Sequence, residues 1–274
     1  MNALRLRLRQ PAGGIRVDLG RATPAALCPL DEHAVAAFEV TRGNRRITIG
    51  ELFDVAVEGR DAAVPTLVLE GDLRSVDRIG WRMAEGVLSV QGDVGDLAGC
   101  GMIGGDLSIS GSAGDFAAAE MAGGCLRIGV DCGDFAAASL PGSMDGMRGG
   151  LLVVRGNAGE RLADRMRRGT VLVFGNAGDF AASRMVAGTL AIAGACGEHL
   201  AYGMRRGTVV LAGEKPRVAS TFAATGHDIR VYWSLLRRHL ADGGGIFARL
   251  PLAPPLRFVG DLAADGKGEV LWFD

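Results

Sequence analysis

"FGNAGDFAASRMVAGT", residues 174–189, leaves an apolar run through Gly-x-x-Gly and meets an acid, Asp179. A strand, a glycine turn and a helix-like run is the layout of many phosphate-binding loops. Gly-Asn-Ala-Gly also stands one step earlier, at 156–159. The phrase is therefore either a binding loop used twice or one step of a repeat.

The spacing decides for a repeat. A glycine opens a similar phrase at Gly86, Gly105, Gly124, Gly150, Gly169, Gly188 and Gly207, in steps of 19, 19, 26, 19, 19 and 19 residues. The long step carries an insert, "LPGSMDG" (140–146), and a degenerate earlier unit begins near Pro65. Two and four positions after each opening glycine stand aliphatics, from Leu88 and Val90 to Val209 and Leu211. Period two over so short a run predicts a strand with one buried face. Gly-x-x-Gly follows at 92–95, 111–114, 156–159, 175–178 and 194–197, whereas the Gly124 unit keeps only Gly133. An acid comes next (Asp96, Asp115, Asp134, Glu160, Asp179, Glu198), then a methionine (Met102, Met121, Met147, Met166, Met185, Met204).

The pattern always restarts in the same direction, so successive strands cannot pair through hairpins. They are expected to stack in parallel, about 4.8 Å per coil, which makes seven or eight coils a rod roughly 35 Å long. Glycines are expected to supply positive φ at the corners. Each acid is expected to start a short helical turn and accept from its free amides. The methionines are expected to fill the core. The period is not a multiple of six, as left-handed hexapeptide helices require, and neither a sustained Gly-Gly-x-Gly-x-Asp nor the asparagine ladder of leucine-rich repeats is read. The expected fold is mainly β: a right-handed parallel β-helix, a solenoid of 19-residue coils over 65–213,. Residues 1–64 and 214–274 are expected to cap its open edges, the first with the strand "LRLRLR" and a short helix in "GELFDVAVEG". The second holds a helix in "HDIRVYWSLLRRHLADGG" and strands in "LRFVGDL" and "EVLWF".

Composition limits the function classes. The 274 residues are 48% hydrophobic and 22% charged, with 43 glycines and a net charge of −1. This gives no reason to expect nucleic acid or an anionic membrane as partner. Neither a signal-peptide core nor a run long enough to span a membrane is present, so a cytoplasmic protein is expected. The five cysteines form no Cys-x-x-Cys and are expected to be reduced,. Cys132 and Cys196 share a column but lie roughly 14 Å apart at the sheet spacing, too far for a disulfide.

No catalytic set is readable. A Walker loop needs Gly-x-x-x-x-Gly-Lys-Ser/Thr, and neither Lys215 nor Lys267, the only lysines, follows one,. His33, His199, His227 and His239 are scattered, so no metal ligands or triad are assigned. The arginines are more informative. Arg148, Arg167 and Arg205 share one column once the insert is removed, and Arg168 and Arg206 share the next. Stacked like charges cost stability unless water or an anion answers them. These five residues are the candidate contact for an acidic partner or polyanionic ligand.

The coils "GNAGDFAASRM" and "MRRGTV" resemble the glycine-repeat domain found at the end of glutamate synthase. The flanks "GNRRITIGELFDV" (43–55) and "EGDLRSVDRIGWRM" (70–83), with "GDVG" and the insert before "MRGG", are similar to the C subunit of formylmethanofuran dehydrogenase and its bacterial counterpart in the formyltransferase/hydrolase complex. The resemblance runs from about residue 43 to 240. Arginine and alanine richness favours the bacterial version over a tungsten or molybdenum dehydrogenase. The resemblance implies a scaffold with no catalytic residues and no cofactor of its own. Its partners would be the A, B and D subunits. The complex would move formyl from formyl-tetrahydromethanopterin to a methanofuran-type cofactor and hydrolyse it to formate, with the metal in another subunit. A polyglutamate chain on that cofactor would give the arginine columns an anionic neighbour.

Overall fold

A computed structural model of the chain describes residues 3–10, 14–59 and 63–273. The outer limits of the two expected caps, Met1 and Asp274, lie outside them. The aliphatic pairs of the repeat form the strands Thr66–Glu70, Val87–Gln91, Ile103–Ile109, Gly123–Ile128, Arg148–Val154, Arg168–Val173, Thr189–Ile192 and Thr208–Leu211. Each lies parallel to the next within a 13-stranded sheet whose two ends do not meet. The chain is mainly β.

Register follows the repeat. Leu67, Leu88, Leu107, Leu126, Leu152, Val171, Leu190 and Val209 are successive partners, all fully buried. Leu126 pairs with Leu152, so the insert is looped out and the column is unbroken. The N-terminal strand Ala3–Leu8 adds on in parallel at one end and puts Leu4 and Leu6 into the same core. Gly268–Trp272 does so at the other, with Val270 opposite Val209. Antiparallel strands, Phe53–Gly59 and Leu256–Gly260, then cover both ends. Covering these edges removes rows of unpaired amides and carbonyls that would template further pairing.

Glycine works in two ways, only one of which the sequence predicts. The opening glycines do have positive φ, for example Gly169 at 97° and Gly188 at 103°. The Gly-x-x-Gly glycines at 175 and 178 do not. A Cβ on Gly178 would lie 2.8 Å from the amide nitrogen of Glu160, and one on Gly175 would lie 2.6 Å from the carbonyl oxygen of Gly156. These glycines let one coil's backbone lie against the next. The residues between them form a second parallel ladder, Ala113–Cys132–Ala158–Ala177–Cys196.

Beside it runs a side-chain ladder. Oδ1 of Asp131 accepts from the amide of Asn157 (2.6 Å), Asn157 from that of Asn176 (2.8 Å), and Asn176 from that of Ala195 (2.8 Å). Asp93 and Ser112 begin the same column. No asparagine ladder is legible in the sequence because the acceptors are of mixed type. Any side-chain carbonyl or hydroxyl of the right length can accept, so identity varies while geometry holds.

The acids start no helical turn. Oδ1 of Asp115 accepts from the amide of Asp134 (2.8 Å), Asp134 from Glu160 (2.7 Å), and Asp179 from Glu198 (2.7 Å). Each of these carboxylates thus bridges coils. The following residues alternate into the left-handed region: Phe180, Ala182 and Arg184 at φ of 59°, 57° and 53°. Their amides point in turn to the coil ahead and the coil behind, as Phe180 to Glu198 and Ala182 to Leu162. The methionines that follow are buried, Met102 to Met204 all at 0% exposure.

The sheet's outer face is covered over its later half. Helix Arg230–Ala241 begins where Asp228 accepts from the amide of Arg230 (2.9 Å) and ends at Gly243–Gly245. Its Trp233, Leu236 and Leu240 pack on Val153, Leu172, Ala191, Val210 and Leu271. The same outward position is Ser89, Ser108 and Arg127 in earlier coils, where no helix lies.

Candidate functional site

The five predicted arginines stand where the chain turns into its strands. The amides of Arg148, Arg167 and Arg205 bond the carbonyls of Met121 (2.6 Å), Met147 (2.8 Å) and Met185 (2.9 Å), the same place in three coils. All five side chains are exposed. Arg167 is ion-paired with Asp145 of the insert, while the other four join no ion pair among the described residues. Val186 and Ala187 fill the intervening coil, so the columns are interrupted. The skipped coil leaves the two arginine pairs about 10 Å apart at the sheet spacing, near the screening length of physiological salt. Repulsion between the two pairs is therefore modest, whereas Arg148 is the strand partner of Arg168 and lies only one coil from it.

Sequence reading missed one member. The amide of Lys267 bonds the carbonyl of Arg205 (2.7 Å), so Lys267 continues this edge into the C-terminal cap, also exposed. Matching the opening glycine Gly207 with Gly268 would have found it.

A different side of each coil carries the left-handed run, and there the first side chains after the acids stack. Phe116 lies on Phe135 at 4.9 Å between ring centres, and Phe180 on His199 at 4.6 Å. Between them the Arg161 guanidinium sits 5.9 Å from Phe135 and 4.8 Å from Phe180. Stacked rings and a sandwiched cation suit the constant coil spacing and a half-exposed position. A cavity of about 380 Å³ opens between this stack and the insert, with Leu140, Met144, Asp164 and Arg165 on its walls. Asp164 is 3% exposed and accepts from Nε and Nη2 of Arg184, at 3.0 and 2.6 Å. Arg165 donates to the Ser143 carbonyl (3.2 Å), pinning the insert.

Neither the histidine contact nor the thiols form a reactive centre. His239 Nε2 lies 2.9 Å from the Thr170 hydroxyl. The thiols of Cys100 and Cys132 are pushed up to about 12 by burial, the opposite of an activated nucleophile,. All five cysteines are free. Among the described residues no group of three His, Cys, Asp or Glu side chains could hold a metal ion, and no helix is long and apolar enough to cross a membrane. What the geometry offers is surface: a basic edge, an aromatic stack and a well-fixed insert.

No family model matches the chain. A stretch of 95 residues, 35% of this chain, is 42% identical to the C subunit of the formyltransferase/hydrolase complex Fhc of Methylorubrum extorquens. Another of 99 residues is 27% identical to the C subunit of the tungsten-containing formylmethanofuran dehydrogenase 2 of Methanococcus maripaludis. These alignments span 33% and 35% of the curated relatives' own lengths. The structural likeness is much wider. A chain in the X-ray crystal structure of the formyltransferase/hydrolase complex FhcABCD from Methylorubrum extorquens, in complex with methylofuran, matches with a TM-score of 0.88 and 39% identity. That match covers 98% of this chain and 99% of the other. Identity at that level over nearly the whole of both chains, in the same complex whose C subunit gives the stronger partial match, means that this chain belongs to the family of C subunits of formyltransferase/hydrolase complexes.

Proposed function

We propose that this chain is the scaffolding C subunit of a formyltransferase/hydrolase complex and works with the A, B and D subunits in the cytoplasm. The observation that carries the reading is the 39% identity and 0.88 TM-score across 99% of a chain of such a complex. In this reading the assembly passes formyl from formyl-tetrahydromethanopterin to a methanofuran-type cofactor and hydrolyses it to formate. The methylofuran in the related complex supports a cofactor of that type. Metal and formyl-transfer chemistry belong to the partner subunits, and this chain contributes a stiff surface. The stiffness comes from a right-handed parallel β-helix over residues 65–213, capped by 1–64 and 214–274. In-register parallel strands and the second ladder of bridges support that winding.

The basic edge is the anionic contact of this reading. Arg148, Arg168, Arg205 and Arg206 carry it, with Arg167 shared with Asp145. In this reading it meets an acidic surface of a partner subunit or the polyglutamate chain of the cofactor.

The test is mild affinity purification of the full tagged chain from its own cell extract. The A, B and D subunits should co-elute, and the eluate should release formate from formyl-tetrahydromethanopterin. A lone monomer overturns the reading, and bound tungsten or molybdenum would move it to the dehydrogenase relatives. Charge reversal at Arg148 and Arg168 should lower retention of the anionic partner and weaken its salt dependence.

A further inference from the structure

Exposed large apolar side chains are not spread evenly over this chain. Thirteen are seen among the described residues, and seven fall between Val231 and Leu262, in the C-terminal cap. Scattered single ones need no explanation, but a concentration does. Its centre is the outward face of helix Arg230–Ala241. Val231 is 79% exposed and Leu235 60%, and at a spacing of four they lie one above the other,. Leu252, 80% exposed, follows Pro251, whose carbonyl accepts from Trp233 Nε1 (3.0 Å) and ties that segment to the helix. The fold does not need these side chains: Trp233, Leu236 and Leu240 on the inner face already close the core over the sheet.

The rim of the patch is basic. Arg237, Arg238 and Arg249 join no ion pair among the described residues, and Asp228 is committed to Arg230. Asp242 alone offsets them at the helix end. We infer that this face is a docking surface for another subunit of the complex, which presents an apolar patch rimmed by carboxylates. The apolar centre supplies the affinity, and the arginines fix orientation and raise the encounter rate. The inference rests on reading the chain as part of a complex.

The experiment compares the full wild-type chain with Val231→Glu/Leu235→Glu in the same co-purification. Both positions face water in the free chain, so the variant should keep its melting temperature. Recovery of one subunit should fall at least about tenfold, as expected for loss of two interface anchors. Arg237→Glu/Arg238→Glu should lower recovery further at low salt than at high salt. Equal recovery by wild type and Val231→Glu/Leu235→Glu overturns this surface alone. Failure of wild type to bring down any subunit overturns the scaffold reading, and this surface with it. Sedimentation showing that the free chain dimerises through these residues would assign the face to a second copy and overturn the inference.

Discussion

Want of room, and not a need for positive φ, is what fixes the Gly-x-x-Gly glycines at 175 and 178. At Gly178 the added Cβ would meet only backbone, the Glu160 amide nitrogen and the Gly159 carbonyl carbon, both at 2.8 Å. Backbone already bonded on both sides cannot retreat, so Gly178→Ala should destabilise by about 3 kcal/mol, the upper range of overpacking. Ala182 is the opposite case. It is fully buried yet sits at φ 57°, where an L-residue is strained by about 1–2 kcal/mol, and its methyl repays only about 0.8 kcal/mol,. Gly80 and Gly99 already occupy the equivalent left-handed position in earlier coils. Ala182→Gly should therefore change stability by less than about 1 kcal/mol. Urea unfolding of the two variants, read as shifts in midpoint at constant slope, checks the pair. Equal shifts would show that the coils are not in the close contact described. Spacing made the repeat legible, but not why each glycine is there. A position that needs positive φ and one that needs no Cβ look identical in a sequence.

At the scale of elements, strands and the capping helix were readable because their signals are local. Period two marked the strands, and "HDIRVYWSLLRRHLADGG" held both its apolar stripe and its glycine stop. The run after each acid was not readable. Intrinsic preference opposes left-handed Phe, Arg and Ala, and only bonding to coils ahead and behind holds them there,. The helix's seat on the sheet was written in a column that the repeat does not keep constant: Ser89, Ser108 and Arg127 give way to Val153, Leu172, Ala191 and Val210. Pairing between adjacent left-handed runs gives a further prediction. Arg184 holds Asp164 with two bonds, and Asp164 is 3% exposed. Removing Arg184 strands a buried carboxylate. Because the Arg184 side chain is 40% exposed and water reaches it, Arg184→Ala should cost about 2–3 kcal/mol, below the range for fully buried pairs,. Ala138 fills the same coil position without a charge, so Asp164→Ala on the Arg184→Ala background should recover most of the loss. A double variant no more stable than Arg184→Ala alone would show that the pair acts through something other than the stranded charge.

Across the whole molecule, buried thiols far apart in sequence share a single alkaline limit. Burial raises the thiols of Cys100 and Cys132 from 9.0 to about 12, and raises that of Cys28 as well. A thiol raised in the folded state keeps its proton there while the unfolded chain begins to lose it near pH 9. The stabilisation is therefore complete below pH 9 and drains away as pH climbs towards 12,. By pH 10 each of the two should have cost about 1–2 kcal/mol. The urea midpoint should hold between pH 7 and 8.5 and fall steeply by pH 10. Cys100→Ala/Cys132→Ala, although less stable at neutral pH through the smaller side chains, should show a shallower alkaline fall. The same burial should keep both thiols from alkylation at pH 8 until the chain unfolds, so labelling by iodoacetamide should track the urea transition. Labelling well ahead of that transition would mean that coils open one at a time. A stack that yields coil by coil could not hold its basic edge and its helix face in the fixed relation a scaffold requires.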